Sequence, residues 1–487
     1  MDLNGDRMKT EFDESWRNWI KTNVDAGRCR NGIFKILLDE GYCAEAITRE
    51  MHYRPTVPIT HLVNPFNSAQ GQSSKTAQVN YGQSIPASQL FIPNAQRVDS
   101  TALAFYRLEH FLTDVECKHL VALIKTQCRP STLSSFEQDT TFRTSQTCDL
   151  GQMNDDIVQA IDLRICKLLG IAQAFSEPLQ GQHYDPGQEF KPHTDYFESH
   201  EMARHATLMG QRTFTVMIYL NTLADGGETH FPKIDTVCKP TQGLALIWNN
   251  LNTDGSPNAN SLHHAMPVRS GYKAVITKWF RTRSRTGEST GMFTKEANEF
   301  IPNYTKQGFY KTKIPTELFT DISRFYQIER IKAQAEHVDG GFIINAKQAK
   351  KPSSLIPLTN ALREQIHDAM KPLLETWCGQ TLEPTYVYGI REYHRGALLK
   401  NHRDRLETHI ISVIINVAQA VEEDWPLYIE DNYYRSHQVL LKPGDVIFYE
   451  GARLTHGRPT ALQGESFANI FCHFKPTGYI PKKLESS

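Results

Sequence analysis

Tyr184-Asp185-Pro186-Gly187-Gln188-Glu189-Phe190-Lys191-Pro192-His193-Thr194-Asp195-Tyr196-Phe197 sets a histidine and an aspartate two positions apart. On a strand, residues i and i+2 point to the same side, so His193 and Asp195 can offer an imidazole and a carboxylate to one point. A second histidine from a distant strand would complete a facial donor set of two imidazoles and one carboxylate. Such a set leaves the other positions of an octahedral metal open.

The His-x-Asp spacing is weak by itself. With 19 histidines in the chain, roughly one such triplet is expected by chance. Three occur, at His193/Asp195, His337/Asp339 and His402/Asp404. Nothing recognisable surrounds His337, and context favours the other two.

The 487 residues exceed one ordinary domain. A hydrophobic share of 40% beside 22% charge is that of a folded chain. Fifty-three basic against 54 acidic residues leave a net charge of -1, so bulk electrostatics gives no reason to expect nucleic acid or an anionic membrane as partner. Nine scattered cysteines include no CxxC pair, which removes zinc ribbons and thioredoxin chemistry and favours buried free thiols in a reducing compartment. No apolar run of about 20 residues is present. The first residues lack the apolar stretch of a signal peptide and the last ones are not an ER-retention tail. A cytoplasmic protein with no membrane partner is therefore expected.

Along the chain, residues 1–60 read as a small helical unit. Trp16, Trp19, Ile20 and Val24, then Ile33, Phe34, Leu37 and Leu38, recur at helical spacing. Their number is small for an independent core, so the unit is expected to dock. Residues 61–98, rich in Asn, Ser, Gln and Gly, read as a linker. From 99 to 285 the pattern is mixed. Thr113-Asp114-Val115-Glu116 is a capping box opening a helix, a second helix spans about 155–169 and stops at Gly170, and short strands follow near 213–220, 243–248 and 272–280. Residues 286–312 read as a second connector. From 313 to 487 the plan repeats: helices from Thr316 and over about 359–377, then strands from Tyr386. Helices followed by many short strands predict an α+β fold on a sandwich or barrel, built twice.

The segment around His193 resembles the first-ligand segment of prolyl 4-hydroxylases. Arg212-Thr213-Phe214-Thr215-Val216-Met217-Ile218-Tyr219-Leu220-Asn221 with Gly226-Gly227-Glu228-Thr229, and Ser261-Leu262-His263-His264-Ala265-Met266-Pro267-Val268 with Gly271-Tyr272-Lys273, are similar to the family's next strand and distal-ligand segment. Arg143-Thr144-Ser145 and Ser176-Glu177-Pro178-Leu179-Gln180 fit the same family. The likeness covers about 100–283 and implies a double-stranded β-helix, or jelly roll, with flanking helices. It implies His193, Asp195 and His263 as iron ligands, His263 being chosen over His264 by its offsets to Pro267-Val268 and Lys273. Lys273 is implied as anchor for the distal carboxylate of 2-oxoglutarate, with Tyr184 and Thr215 also reaching that cosubstrate. The expected cofactors are Fe(II), 2-oxoglutarate and O2, with ascorbate as reductant, and succinate and CO2 as co-products. Because Asp195 is kept, hydroxylation is favoured over halogenation. The expected substrate is a prolyl or other residue of a peptide or protein. The alternatives are a free amino acid or small metabolite as substrate and, in a different class, a non-catalytic 2-oxoglutarate or peptide sensor or scaffold. The intact set of His193, Asp195, His263 and Lys273 speaks against the last.

Placed under the first copy, Tyr393-x-x-Gly396-x-x-x-Lys400-x-His402-x-Asp404 repeats Tyr184-x-x-Gly187-x-x-x-Lys191-x-His193-x-Asp195 at one unbroken spacing. With His456 these residues form a candidate second triad. Ten residues beyond His456 stands Ser466, and no lysine or arginine follows on that strand through His473, so the cosubstrate anchor of the first copy is missing there. Arg458, Arg403 and Arg405 are the candidate substitutes. The residues between Ser199 and Gln211 form an insertion that reads as a candidate lid.

Overall fold

A computed structural model describes residues 9–25, 30–56, 59, 90–127, 129–131, 143–199, 201–294, 299–336, 338, 340–345 and 351–483. His337 and Asp339, and most of the linker 61–98, lie outside these residues. The chain divides into two compact units, 1–294 and 295–487.

The first unit begins with helices α1 (Glu14–Asp25), α2 (Arg30–Asp39) and α3 (Ala44–Met51). Phe12, Trp16, Trp19, Ile33, Phe34, Leu37 and Ile47 bury a core of their own, more than the apolar count alone suggests. Trp16 and Tyr42 meet edge to face and Phe12 stacks on Tyr42. The helices are tied to the rest of the unit through Arg129, whose guanidinium meets Glu40 at 2.9 Å and lies 5.7 Å from the Trp16 ring. The seven described cysteines are free and all but Cys43 are buried.

Helix α4 (Asp114–Gln127) starts at the predicted capping box. The Thr113 amide donates to the Glu116 carboxylate at 2.8 Å, and the Glu116 amide to the Thr113 hydroxyl at 3.3 Å. Helix α5 (Asp156–Leu169) ends at Gly170, which takes the left-handed conformation at φ 63°.

The strands in order are β1 (Gln96–Arg97), β2 (Phe105–Leu108), β3 (Arg129–Pro130), β4 (Gln146–Cys148), β5 (Gln180–Tyr184) and β6 (Phe190–His193). They continue with β7 (Arg212–Tyr219), β8 (Thr229–Phe231), β9 (Thr236–Cys238), β10 (Ala245–Asn249), β11 (His263–Ala265) and β12 (Lys273–Arg281). The larger sheet runs β1-β2-β10-β7-β12-β5-β4-β3 and the smaller β6-β11-β8-β9. All pairings are antiparallel. Consecutive strands from β5 onward leave one sheet for the other and return, which is the double-stranded β-helix. Tyr184, Met217, Tyr219, Phe231, Trp248 and Val275 fill the interior. Strand β12 is buried along its whole length because both of its faces are covered.

The second unit has helices α6 (Thr316–Glu329) and α7 (Asn360–Cys378). Its strands are β13 (Glu299–Phe300), β14 (Phe309–Lys313), β15 (Gln334–Ala335), β16 (Ile343–Asn345), β17 (Ser353–Ile356), β18 (Leu382–His394) and β19 (Ala397–His402). After these come β20 (Ile411–Val421), β21 (Leu427–Glu430), β22 (Ser436–Val439), β23 (Asp445–Tyr449), β24 (His456–Arg458), β25 (Gly464–Pro476) and β26 (Lys482–Lys483). The large sheet runs β14-β23-β20-β25-β18-β17-β15 and the small one β16-β19-β24-β21-β22. Strand for strand, β18 to β25 repeat the order of β5 to β12. The stretch 286–312, read as connector, contains β13 and enters β14, which pairs with β23 over Phe309–Lys313. Only Phe309 of β14 is buried, so an edge strand of this kind leaves little alternation for a sequence reader. Among the described residues no helix is long and apolar enough to cross a membrane.

Candidate active site

Strands β6 and β11 of the smaller sheet bring the first triad together. His263 is the register partner of His193, and one ligand atom each from His193, Asp195 and His263 lies within 4.8 Å of the others. The His193 Nδ1 faces the Lys191 carbonyl at 2.7 Å and the His263 Nδ1 faces the Ser261 carbonyl at 2.9 Å. A carbonyl only accepts, so each Nδ1 carries the proton and each Nε2 keeps its lone pair for a cation. Burial, then the neighbouring His263, hold His193 well below the ordinary imidazole range, which keeps it neutral. Phe190 stacks on His193 and Trp248 meets His263 edge to face at 4.9 Å.

His264 points elsewhere. Its Nε2 meets the Glu189 carboxylate at 2.7 Å, as alternation along β11 requires.

Asp195 is buried and held by Thr215, whose hydroxyl donates to Asp195 Oδ2 at 2.7 Å. The Asn250 amide donates in turn to the Thr215 hydroxyl at 2.9 Å. Thr215 therefore stands against the Asp195 carboxylate, and its hydroxyl proton is committed there. Below it, Arg212 reaches the Asp195 carbonyl at 3.3 Å and pairs with Glu177 at 2.7 Å, while Arg281 meets the same carboxylate at 2.8 Å. Burial works to raise the Glu177 carboxyl, but the two guanidiniums overcome it and hold it at about 2.

Lys273 lies on β12 opposite Tyr184 of β5. It is 1% exposed, donates to the Gly227 carbonyl at 3.0 Å and sits 4.4 Å from the Tyr184 ring centroid. Burial pulls it down to about 7, with Glu228 acting in the opposite direction. A buried ammonium in this condition is a site for an incoming carboxylate, because pairing offsets a desolvation cost already present in the fold. Tyr184 is buried, and burial raises its phenol against the nearby Arg143.

The insertion between Ser199 and Gln211 holds a single helical turn, Met202–His205. Its end is fixed to the triad segment: Gln211 exchanges bonds of 2.7 Å with the Phe197 amide and carbonyl. Asn250, Glu177 and Arg212 carry no site role from sequence reading. The quoted motifs include Glu177 and Arg212, yet only the fold shows that they pair beneath Asp195.

The second unit assembles His402, Asp404 and His456 within the same 4.8 Å. Again the distal histidine, on β24, is the register partner of the first, on β19. The Nδ1 atoms of His402 and His456 face the Lys400 and Leu454 carbonyls at 2.8 and 2.9 Å. Here Tyr449, in the place of Trp248, donates to Asp404 Oδ2 at 3.0 Å.

Residues 179–281 match the 2OG-Fe(II) oxygenase superfamily, and the match takes in every first-triad residue, Tyr184, Thr215 and Lys273. The chain is 34% identical over 197 residues to probable prolyl 4-hydroxylase 6 of Arabidopsis thaliana, covering 36% of this chain and 67% of that protein. It is 32% identical over 226 residues to prolyl 4-hydroxylase 2 of the same plant, covering 41% and 74%. The matches span 62% to 75% of the length of such curated relatives. Among solved structures, the viral collagen prolyl hydroxylase vCPH of Paramecium Bursaria Chlorella virus-1 is 26% identical, covering 36% of this chain and 95% of that one with a TM-score of 0.30.

Proposed function

Because the chain belongs to the prolyl 4-hydroxylase family of 2OG-Fe(II) oxygenases, we propose that its first unit hydroxylates a prolyl residue within a peptide or protein. The enzymes of this family use Fe(II), 2-oxoglutarate and O2, which together supply the oxidation of an unactivated C–H bond with release of succinate and CO2. The residues present fit those groups. Two imidazoles and a carboxylate form an oxygen-and-nitrogen donor set suited to Fe(II) with open positions, and among the described residues no carboxylate is bonded to the Lys273 ammonium.

His193, Asp195 and His263 hold the metal. The backbone carbonyls behind both imidazoles fix their tautomers, and Thr215 fixes the carboxylate. Lys273 binds the distal carboxylate of 2-oxoglutarate by a charge-assisted hydrogen bond, with Tyr184 beside it. Thr215 serves the metal carboxylate first, since the hydroxyl proton expected to reach the cosubstrate is the one given to Asp195. Ascorbate is the reductant expected for such a site.

The observation that carries this reading is the buried Lys273 facing the interior that also holds the triad. Proline-containing peptides and free proline should be incubated with wild type, His193→Ala and Lys273→Ala, and followed for gain of one oxygen atom and release of succinate. Oxygen gain in a peptide with wild type alone is the expected result. Gain only in a free amino acid would move the substrate class, and iron-dependent turnover with none of them would leave a sensor.

A further inference from the structure

We propose that the C-terminal unit is a second binding site, taking a divalent metal ion at His402, Asp404 and His456 and, beside it, a small 2-oxo acid whose far carboxylate is received by Arg458. The acid anchor has moved from one strand to its neighbour.

The structural correspondence between the units locates the change. In the first unit Tyr184 pairs with Lys273 across β5 and β12. In the second, Tyr393 pairs across β18 and β25 with Phe467. An aromatic ring thus occupies the place of the ammonium. Phe467 is buried in the barrel interior with Tyr393, Tyr449 and Ile414, so no cation enters the barrel from that register position.

A cation enters from β24 instead. Arg458 stands two residues after His456 on one short strand, so both side chains leave its same face. Arg458 is 1% exposed. Its guanidinium lies 4.4 Å from the Phe467 ring and 4.6 Å from the Trp425 ring. One Nη donates to the Trp425 carbonyl, and the other, Nη2, is buried with no hydrogen-bond partner among the described residues. No carboxylate pairs with it among the described residues, whereas Arg391 of the same unit meets Glu336 at 2.6 Å. An arginine enclosed by aromatic rings with a donor unspent is costly unless something anionic arrives. The planar fork of Arg matches the two oxygens of a carboxylate.

The triad beside it has the features of the first: converging donors, histidine Nδ1 atoms turned to carbonyls, and a hydroxyl bonded to the carboxylate, here from Tyr449. A core needing only packing would have no use for two imidazoles and a carboxylate facing one another. A divalent ion satisfies all three together.

The test uses the full-length chain, stripped of metal and titrated with Mn(II), with bound ions counted per chain. Two ions in wild type and one in His193→Ala are expected. The His193→Ala protein carries an unaltered second unit, so its count does not depend on how second-unit variants fold. His193→Ala/His402→Gln should bind none. His193→Ala with none, whatever the wild-type count, overturns the second site. In a second arm, anaerobic His193→Ala with Fe(II) is titrated with 2-oxoglutarate, following the charge-transfer absorption of a metal-bound 2-oxo acid. The band is expected, with Arg458→Met weakening binding by roughly tenfold or more at an unchanged metal count and Arg458→Lys restoring part of it. No band, or an Arg458→Met titration identical to its parent, removes Arg458 as the anchor. Failure of the first unit would appear separately, as Mn(II) binding that His193→Ala does not alter.

Discussion

Lys273 and Tyr184 are partners across β12 and β5, and the buried ammonium rests 4.4 Å from the phenol ring with the Gly227 carbonyl as its acceptor. The relationship makes the proposed cosubstrate anchor sensitive to pH. Burial pulls Lys273 to about 7, so above that value the ligand-free site is neutral and must take up a proton to bind a carboxylate. Affinity for 2-oxoglutarate should be flat below about 7 and fall as pH rises, approaching tenfold per unit. Lys273→Met should bind weakly at every pH and lose the dependence. Anaerobic titrations of the Fe(II) protein check both. The sign is opposite for folding: the lysine is charged up to 10.5 when unfolded, so its cost is full below about 7 and is relieved between there and 10.5. The ligand-free protein should gain stability from this group over that interval.

Thr215 acts through Asp195. Thr215→Val keeps the shape of the side chain but removes the 2.7 Å bond to Oδ2 and strands the Asn250 amide. Metal affinity should fall roughly 10- to 100-fold, while the 2-oxoglutarate KM at saturating Fe(II) changes far less. Thr215→Ser should recover metal binding. A large rise in that KM with unchanged metal affinity would instead make Thr215 a cosubstrate ligand.

What a reader of the sequence can see here depends on how local the geometry is. The pair His193 and Asp195 is legible because strand period alone aligns i and i+2. The Thr113 capping box and the Gly170 stop are legible because each is complete within a few residues. Lys273 is legible through family offsets to His263. Arg458 is legible only as one of three candidates beside Arg403 and Arg405, because Lys273 lies on another strand, and only the pairing of Tyr393 with Phe467 shows that the first position is filled. The bond from Asn250 to Thr215 links residues 35 apart in sequence, and no periodicity announces it. Strand β14 escapes for a related reason: its partner β23 comes more than a hundred residues later.

Glu177 holds two guanidiniums under the triad, 2.7 Å from Arg212 and 2.8 Å from Arg281. Glu177→Ala should destabilise the protein by about 3–5 kcal/mol, since it leaves both cations largely buried and unpaired. Denaturant unfolding at neutral pH measures the loss. The wild-type contribution is complete above the ordinary carboxyl value of 4.5 and is lost as pH falls from there toward about 2. Below that range the variant and wild type should converge. Because Arg212 also reaches the Asp195 carbonyl, weaker metal binding should accompany the lost stability.

Two glycines separate backbone strain from damage to the anchor. Gly227 sits at φ +71° with room for a Cβ only 3.1 Å from Leu223 Cδ2 and 3.3 Å from Lys273 Cδ. Gly271 sits at φ +75° with nothing within 4 Å of the same added atom. Alanine at either position must hold a left-handed backbone, at about 1–2 kcal/mol. Stability should therefore fall by similar amounts in Gly227→Ala and Gly271→Ala. Only the first added methyl presses on the lysine stem, and the Gly227 carbonyl is also the acceptor for that ammonium. Gly227→Ala should raise the KM for 2-oxoglutarate several-fold, about 1 kcal/mol of lost binding, with Gly271→Ala near wild type. Thermal melts and steady-state kinetics on the pair make the comparison. Equal KM values would mean that Lys273 yields to the methyl without leaving its place.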